Sequence, residues 1–333
     1  MKKALITAEI DDHTIEELND LGFEVEVTGW GQTHEALSEK EIIARTADIA
    51  LLVVEVEQIT EQIIRTASKL ELIHVCRSGP GNVDLEAATA RGIPVLVTPG
   101  RNADSVADFT VGMLLSITRK ISTADQHLRS QDWSVDNEIP YFHFRGPEFA
   151  GKTIGLIGCG AIGQAFLKRM GGFMMRMLIY DPYVKPETLT EGGELADLDV
   201  VLQQSDFIVI LCPLTAETRD MIGSDEIASL KPTSYVINPA RAAVVNEEAL
   251  FEAVESRKIA GAALDVFWQE PLPSDSPWRS LQNVLITPHI AGASDEVRTH
   301  QGNMLIEDLR LLRSGEIPQR VVNPSAVKDR III

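Results

Sequence analysis

The chain is poor in basic residues and in long apolar runs. It has 30 lysines and arginines against 49 aspartates and glutamates, so its formal net charge is −19. This charge argues against nucleic acid as a partner, because phosphates need a basic surface, and equally against anionic membrane surfaces. No apolar run is long enough to cross a bilayer, and the amino terminus has no signal-peptide pattern. We therefore expect a cytoplasmic protein with neither a nucleic-acid nor a membrane partner.

Cysteine is also scarce. The three cysteines, Cys76, Cys159 and Cys212, lie in or beside apolar strand-like runs. An odd number in such settings is typical of reduced core thiols rather than of a disulfide framework or a metal site. We therefore expect no metal site.

The acidic net charge has a consequence for the substrate. Any anionic substrate must be attracted by a local positive pocket.

What the chain does have is a regular alternation of strand-like and helical segments. Its 333 residues suffice for two domains. One alternating series occupies residues 4–97, and a second series with six strand-like runs begins at Thr153. Such alternation predicts parallel sheets with helices on both faces, hence an α/β fold with two doubly wound parallel-sheet domains. Residues 104–129 are predicted to form one long helix between the two series.

A glycine motif, Gly158-Cys-Gly-Ala-Ile-Gly163, directly follows the apolar run Thr153-Ile-Gly-Leu-Ile157. A helical segment, a second strand and Asp181 come next, which is the order of a Rossmann dinucleotide-binding unit. The first glycine permits a tight turn, the second lets the backbone approach a pyrophosphate, and the third allows close helix–strand packing. The helix N-terminus would offer unpaired N–H groups to the phosphates, and Asp181 would accept hydrogen bonds from the adenosine ribose hydroxyls. The residues predicted to bind the cofactor through this motif are Gly158, Gly160, Ala161, Ile162, Gly163 and Asp181.

Three polar residues follow apolar strands of the second series. They are Arg241, Glu270 and His289. The carboxyl ends of strands are where open α/β sheets bind ligands, so these residues are candidates for a common site.

Together with the glycine motif, these segments make the chain resemble the D-isomer-specific 2-hydroxyacid dehydrogenases over nearly its whole length. The stretches that carry the resemblance are Gly151-Lys-Thr-Ile-Gly-Leu-Ile-Gly-Cys-Gly-Ala-Ile-Gly163, Asp206-Phe-Ile-Val209, Pro213-Leu-Thr-Ala-Glu-Thr218, Asn238-Pro-Ala-Arg-Ala-Ala-Val-Val245, Leu264-Asp-Val-Phe-Trp-Gln-Glu-Pro271 and Asn283-Val-Leu-Ile-Thr-Pro-His289, with Asn82-Val-Asp-Leu-Glu-Ala-Ala88 and Thr98-Pro-Gly-Arg-Asn-Ala-Asp-Ser-Val-Ala-Asp108 in the first series. The resemblance implies a Rossmann NAD-binding domain over residues 104–295. It also implies a discontinuous, flavodoxin-like substrate domain made of residues 1–103 and 296–333.

The resemblance further implies the roles of single residues. Arg241, Glu270 and His289 would be catalytic, and Asp265 would face the nicotinamide and accept a hydrogen bond from its carboxamide. The remaining cofactor contacts expected are Pro213, Thr218, Ala240 and Gly292.

The implied chemistry suits these residue types. Oxidation of a secondary alcohol needs loss of a hydroxyl proton, which His289 can accept near neutral pH and return during reduction. Glu270 on the other ring nitrogen would hold the tautomer and stabilise the imidazolium. Arg241 offers a fork of donors to the substrate carboxylate and carbonyl oxygen, which also provides the positive pocket that an acidic protein needs.

Two departures from the family pattern leave the substrate open. Ala242 stands where the family usually has glycine after the arginine, which is tolerable unless the backbone needs a positive φ. The loop over residues 77–84 looks about two residues shorter than in the family. We expect Arg77, Ser78 and Gly79 of this loop, with Arg241 and His289, to bind substrate, and we interpret Arg101 as a solvated loop arginine more readily than as a second anion contact.

Several alternatives for the substrate and the function remain open at this point. Phosphoglycerate, glyoxylate or hydroxypyruvate, and four-carbon sugar acids are all compatible substrates. A protein of another class, an NAD(H)-sensing or corepressor-like binding module on the same fold, is disfavoured because Arg241, Glu270 and His289 are all present.

The cofactor and the oligomeric state can also be predicted. Asp181 has no adjacent arginine to receive a 2′-phosphate, so NADH should be preferred over NADPH. Residues 133–144, which are polar and aromatic, are expected to form a dimer arm as in relatives, giving a homodimer.

Overall fold

The computed structural model describes residues 1–130, 133–135, 139–189 and 192–327. These residues form two compact units. One runs from Met1 to Arg101 and resumes at Ser294, and the other spans Asn102–Ala293. The domain boundaries predicted from the sequence, 103/104 and 295/296, each lie two residues after the boundary between the two units of the structure. The predicted dimer arm is described only in part, because residues 136–138 are outside the described residues.

Strands and helices alternate along both units. The strands are β1 (Lys2–Ile6), β2 (Phe23–Val27), β3 (Ile49–Val54), β4 (Leu72–Val75), β5 (Val95–Val97), β6 (Thr153–Ile157), β7 (Arg176–Tyr180), β8 (Glu194–Leu195), β9 (Phe207–Ile210), β10 (Tyr235–Asn238), β11 (Gly261–Leu264) and β12 (Val284–Ile286). The helices are α1 (Asp12–Asp20), α2 (Trp30–Thr33), α3 (Glu39–Arg45), α4 (Glu61–Thr66), α5 (Leu85–Ala90), α6 (Ala103–Thr118), α7 (Ile121–Ser130), α8 (Pro140–His143), α9 (Ala161–Met170), α10 (Leu198–Gln204), α11 (Ser224–Ala228), α12 (Glu247–Glu255) and α13 (Val297–Ser314).

The first unit contains a five-stranded sheet in the order β2-β1-β3-β4-β5, with every neighbouring pair parallel. This is the flavodoxin-like order. All six residues of β3 are buried, because helices cover both faces of a parallel sheet and the strand must be apolar throughout. Two separate apolar clusters, one on each face, form the core.

The second unit contains a seven-stranded sheet in the order β12-β11-β10-β9-β6-β7-β8, again entirely parallel. The strands β8-β7-β6-β9-β10-β11 have the 3-2-1-4-5-6 order of a Rossmann fold, and β12 is one further strand at the edge. Apolar clusters again cover both faces. The predicted α/β class with two doubly wound parallel sheets is therefore confirmed.

Two details of the second unit differ from the sequence-based expectation. The single helix predicted over residues 104–129 is two helices, α6 and α7, because Lys120 takes a left-handed φ of 54°. The backbone of Gly146 lies against the Thr118 carbonyl oxygen, so closely that a β-carbon there would sit 2.0 Å away. The prediction of six strands missed β8, whose two residues are both exposed and form no apolar run.

The three cysteines are free and buried, as the sequence predicted. Burial raises the pKa of the Cys76 thiol, and it raises the pKa of Cys159 and of Cys212 to about 11. Within the described part of the chain, no helix is long and apolar enough to span a membrane.

Candidate active site

The glycine turn between β6 and α9 is shaped by close backbone packing. Gly158 has a φ of +92°, and a β-carbon there would lie 2.5 Å from the Cys212 nitrogen. A β-carbon on Gly163 would lie 2.6 Å from the Gly158 carbonyl oxygen. Both positions therefore require glycine. Gly160 differs, because a β-carbon there would meet no protein atom within 4 Å, so this glycine borders open space.

That open space suits a dinucleotide. The first turn of α9 carries Ala161 and Ile162, whose N–H groups have no acceptor within the helix because helical bonds begin a turn later. The first turn of α9 has no acidic side chain, so the positive end of the helix dipole and its N–H groups, next to an open glycine backbone, fit a pyrophosphate. When bound, a nicotinamide cofactor supplies the hydride acceptor or donor, and these residues would hold its phosphates.

Asp181, at the end of β7, joins two turns. Its Oδ2 accepts a hydrogen bond from the Cys159 N–H at 2.7 Å, and its Oδ1 accepts one from the Tyr183 N–H at 2.9 Å. The carboxylate therefore stands directly beside the glycine turn. Each oxygen keeps a lone pair, so a ribose hydroxyl can still donate to it.

The loop after β9 is braced by the side chain of Thr218. Its hydroxyl donates to the Pro213 carbonyl at 2.7 Å and accepts from the Thr215 N–H at 2.8 Å. Pro213 is exposed and Thr218 is half-buried. Thr218 therefore determines the shape of this loop through its own hydroxyl.

Glu270 and His289 form a hydrogen-bonded pair. The distance from Glu270 Oε2 to His289 Nδ1 is 2.7 Å, and the side chains are 38% and 47% exposed. Glu270 Oε1 accepts a second bond from the Phe267 N–H at 2.9 Å. This leaves Nε2 as the ring nitrogen available to a substrate hydroxyl.

The electrostatics favour an ionised Glu270. Partial burial raises the pKa of its carboxyl, but the hydrogen bonds from the His289 ring and the Phe267 N–H, together with the charge of Arg241, outweigh burial and lower the pKa below its ordinary value. The group is therefore a carboxylate at neutral pH, so it accepts a hydrogen bond from the Nδ1–H and stabilises a protonated ring.

Arg241 stands on a loop organised by the buried Asn238 at the end of β10. The Asn238 amide donates to the Arg241 carbonyl at 3.0 Å, and its oxygen accepts from the Ala240 N–H at 3.0 Å. The Arg241 side chain is exposed and close enough for its charge to act on Glu270. Ala242 begins a short 3₁₀ helix, Ala242–Val244, and is not among the positive-φ residues, so its methyl group is accommodated.

Asp265 and Gly292 belong to the surroundings of His289: Asp265 bonds to residues next to it, and Gly292 follows it by three residues. The Asp265 side chain is fully buried and accepts hydrogen bonds from Thr287, Ile290 and Ala291. Gly292 is half-buried, and a β-carbon there would lie 2.5 Å from Asn102 Nδ2, so packing within this unit alone requires glycine. Thr287 and Asn238 also hold this site, and no role for them was predicted from the sequence. Both carry the same signal as Arg241, a polar residue at the end of an apolar strand.

An open pocket of about 670 Å³ lies beside Glu270 and His289. Its wall is mostly apolar and includes Phe267, Leu272 and Ile286, with Arg279 as its second charged residue. The Arg279 guanidinium donates to the Leu272 and Pro273 carbonyls at 2.9 and 2.8 Å. This arginine therefore supports the wall. In the described residues, no cluster of three or more His, Cys, Asp or Glu side chains is arranged to hold a metal ion.

In the first unit, the loop of Arg77, Ser78 and Gly79 follows β4. Arg77 and Ser78 are exposed and Gly79 is half-buried. A β-carbon on Gly79 would meet nothing within 4 Å, so the space beside this loop is open, as a ligand-binding loop requires.

The interpretation of Arg101 as a solvated arginine was wrong. Its guanidinium donates to Glu55 Oε1 at 2.9 Å and to Gln301 Oε1 at 2.7 Å, and the side chain is only 18% exposed. The charge is thus neutralised inside the unit, by a partner more than forty residues away in sequence that no local pattern indicates.

A Rossmann sheet with this glycine turn, an acidic residue after β7 and a Glu–His pair at the strand ends defines an NAD-dependent oxidoreductase. The family model described as "D-isomer specific 2-hydroxyacid dehydrogenase, NAD binding domain" matches residues 111–291. The chain therefore belongs to the D-isomer specific 2-hydroxyacid dehydrogenases, a family of enzymes with an NAD binding domain.

Individual relatives agree with this family. A glyoxylate reductase of Thermofilum pendens is 40% identical over 88% of this chain and 87% of its own length. Among solved structures, the TT0316 protein of Thermus thermophilus has a TM-score of 0.81 with 32% identity, covering 96% of this chain and 99% of that one. An NADPH-dependent glyoxylate/hydroxypyruvate reductase of Sinorhizobium meliloti has a TM-score of 0.79 with 26% identity, covering 98% of this chain and 99% of that one.

Proposed function

We propose that the protein transfers a hydride between a nicotinamide cofactor and C2 of a small D-2-hydroxy or 2-oxo acid. His289 is the acid/base, Glu270 is its partner, and Arg241 binds the substrate. The observation that carries this proposal is the 2.7 Å bond between Glu270 Oε2 and His289 Nδ1, in a half-exposed ring. The bond occupies Nδ1, so Nε2 is the ring nitrogen left to exchange a proton with a ligand.

The proposed steps follow from the residues. In the oxidation direction His289 Nε2 removes the hydroxyl proton of the substrate. A nicotinamide cofactor held at the glycine turn would accept the hydride from C2. The Glu270 carboxylate keeps the proton on Nδ1 and stabilises the imidazolium that forms. The Arg241 fork holds the substrate carboxylate and the C2 oxygen. In the reduction direction the protonated ring returns its proton to that oxygen.

The remaining contacts are proposed by unit. We assign cofactor binding to the second unit, at the glycine turn and at the loops that carry Pro213, Thr218, Ala240, Asp265 and Gly292. We assign substrate binding in the first unit to Arg77, Ser78 and Gly79.

The experiment that tests the function is a screen of 2-oxo acids with NADH, beginning with glyoxylate and hydroxypyruvate and followed by absorbance of the reduced nicotinamide. NADH binding without turnover of any 2-oxo acid would contradict this proposal and favour a sensing module.

We expect NADH to be preferred over NADPH. The Asp181 carboxylate beside the glycine turn would repel a 2′-phosphate at the ribose, whereas it can accept hydrogen bonds from the free hydroxyls. Asp181→Ala should narrow the ratio of kcat/KM for the two cofactors by at least about tenfold, which corresponds to about 1.4 kcal/mol. Asp199→Ala, a change in the first turn of α10, is the matched control and should leave the ratio unchanged. Equal use of both cofactors by the wild-type enzyme would show that Asp181 does not face the ribose.

The substrate loop is tested at Gly79. Neither φ nor space opposes a side chain there, so Gly79→Val should fold normally while filling the space that we assign to the acid. We expect KM for the 2-oxo acid to rise about ten- to hundredfold, because a displaced contact to a charged group costs about 1.5–3 kcal/mol, and the dissociation constant of NADH to stay the same. Gly172→Val, at an exposed glycine with equally open surroundings, is the control. An unchanged KM in Gly79→Val would exclude the loop from substrate binding.

We also propose a homodimer formed through the arm. Trp133, Ile139, Tyr141 and Phe142 are between 59% and 74% exposed, and exposed apolar groups in such number are typical of a protein interface. We expect a dimeric mass in light scattering at micromolar concentration, and Tyr141→Asp should shift it toward the monomer. A wild-type protein that is strictly monomeric under these conditions would contradict the proposal.

A further inference from the structure

The inference starts from the backbone of His289. This residue has a φ of 57°, in the left-handed region that only a few per cent of non-glycine residues adopt, histidine more often than most. The conformation persists only where surrounding groups hold it. The Glu270 bond acts on the ring and so leaves the backbone of the turn to be held by something else.

Backbone bonds contribute, since the His289 N–H donates to the Thr287 carbonyl at 3.1 Å. The side chain that supports the segment is the carboxylate of Asp265. Oδ1 accepts the Thr287 hydroxyl at 2.6 Å and the Ile290 N–H at 3.0 Å, and Oδ2 accepts the Ala291 N–H at 2.8 Å. The donors come from both sides of His289 in the chain. The side chain of Asp265 is fully buried at the end of β11, so its own position is set by the sheet.

We propose that Asp265 is a positioning residue for the reaction: its carboxylate fixes the left-handed turn that presents the His289 ring to Glu270. This inference rests on the proposed function, in which His289 is the acid/base. It gives Asp265 a role in the rate of proton transfer that is separate from the carboxamide contact expected from the family resemblance, which would act on cofactor affinity.

An aspartate suits this role better than the residue closest to it in shape. Asparagine has one accepting oxygen, and its amide group would point a donor at a backbone N–H, so at least one of the three bonds is lost. The turn would then lose its support on one side of His289 while the fold of the sheet is kept. The change Asp265→Asn therefore alters the position of the His289 ring while the ring itself stays in the protein.

The kinetic test compares Asp265→Asn with the wild-type enzyme in steady-state turnover and in direct NADH binding. We expect kcat to fall about ten- to hundredfold, since a displacement of about 1 Å of a reacting group can cost that much, with the KM of the 2-oxo acid within about threefold. Thr287→Val removes one donor and should lower kcat less. Asp308→Asn, which alters another fully buried carboxylate, in the first unit, is the control and should lower the melting temperature without lowering kcat.

A second measurement does not depend on turnover. The Nδ1 proton shared between His289 and Glu270 should give a low-field proton resonance in the wild-type protein, identified by its loss in His289→Ala. We expect Asp265→Asn to weaken or shift this resonance and Asp308→Asn to leave it unchanged. If Asp265→Asn fails to fold, Thr287→Val carries the same comparison.

Two outcomes would overturn the inference. One is an Asp265→Asn enzyme with a wild-type resonance and a wild-type kcat. The other is a rise in the NADH dissociation constant with kcat unchanged, which would make Asp265 a cofactor ligand only. Failure of the proposed function is distinguishable, because the wild-type protein would then bind NADH without turning over any 2-oxo acid, whereas the effect of Asp265→Asn on the resonance does not depend on turnover.

Discussion

His289→Ala is expected to lower the turnover of the 2-oxo acid by about two to four orders of magnitude, the usual contribution of a general acid/base, while NADH binds as before. In the proposed mechanism the ring supplies Nε2 as the proton-exchanging nitrogen, so its removal leaves water to supply the proton. The NADH affinity should persist because the glycine turn and Asp181 are separate from the ring. Steady-state kinetics and fluorescence titration with NADH measure the two quantities.

The control for this variant is His13→Ala, which removes an exposed histidine of α1 and should leave both quantities unchanged. Turnover of His289→Ala within a few-fold of the wild-type value would remove His289 from the mechanism. Glu270→Gln offers an intermediate case, because it keeps an accepting oxygen for Nδ1 but loses the charge that stabilises the imidazolium.

Arg241→Gln should lower kcat/KM for the 2-oxo acid by about two to four orders of magnitude. Two charge-assisted hydrogen bonds to the substrate, worth about 1.5–3 kcal/mol each, are lost, and about 1.4 kcal/mol corresponds to a factor of ten. Arg241→Lys keeps the charge and loses the fork, so we expect a smaller decrease. NADH binding should not change in either variant.

The matched control is Arg298→Gln, at an exposed arginine of α13. A wild-type kcat/KM in Arg241→Gln would place the substrate carboxylate elsewhere. Equal decreases in Arg241→Gln and Arg241→Lys would show that the geometry of the guanidinium, rather than its charge, binds the substrate.

The parts of this protein that its sequence predicted are those with a local cause. Buried parallel strands must be apolar throughout, so β3 and β9 could be identified as runs of apolar residues. The turn at Gly158 needs a residue without a side chain, which is visible as glycine in the sequence. The position of Arg241, Glu270 and His289 after strands could be predicted as well, because chain order determines which residues follow a strand and parallel strands end at one edge of the sheet.

Elements without a local signature could not be predicted. The break between α6 and α7 occurs at Arg119 and Lys120, where neither glycine nor proline interrupts the helical pattern, and the contact with Gly146 comes from a distant part of the chain. The same holds for β8, whose pairing with β7 depends on the sheet edge and not on its own two residues.

The sequence by itself determined the fold class, the family and the residue types of the candidate site, because each follows from local patterns of apolar residues, glycines and polar strand ends. The tertiary structure alone decided how those residues are held. It brought the Arg101 guanidinium to Glu55 and Gln301 and buried the Asp265 carboxylate beneath the turn of His289. The physical reason is that hydrogen bonds between segments far apart in the chain depend on distances of tenths of an ångström, which only the packed sheets and helices establish.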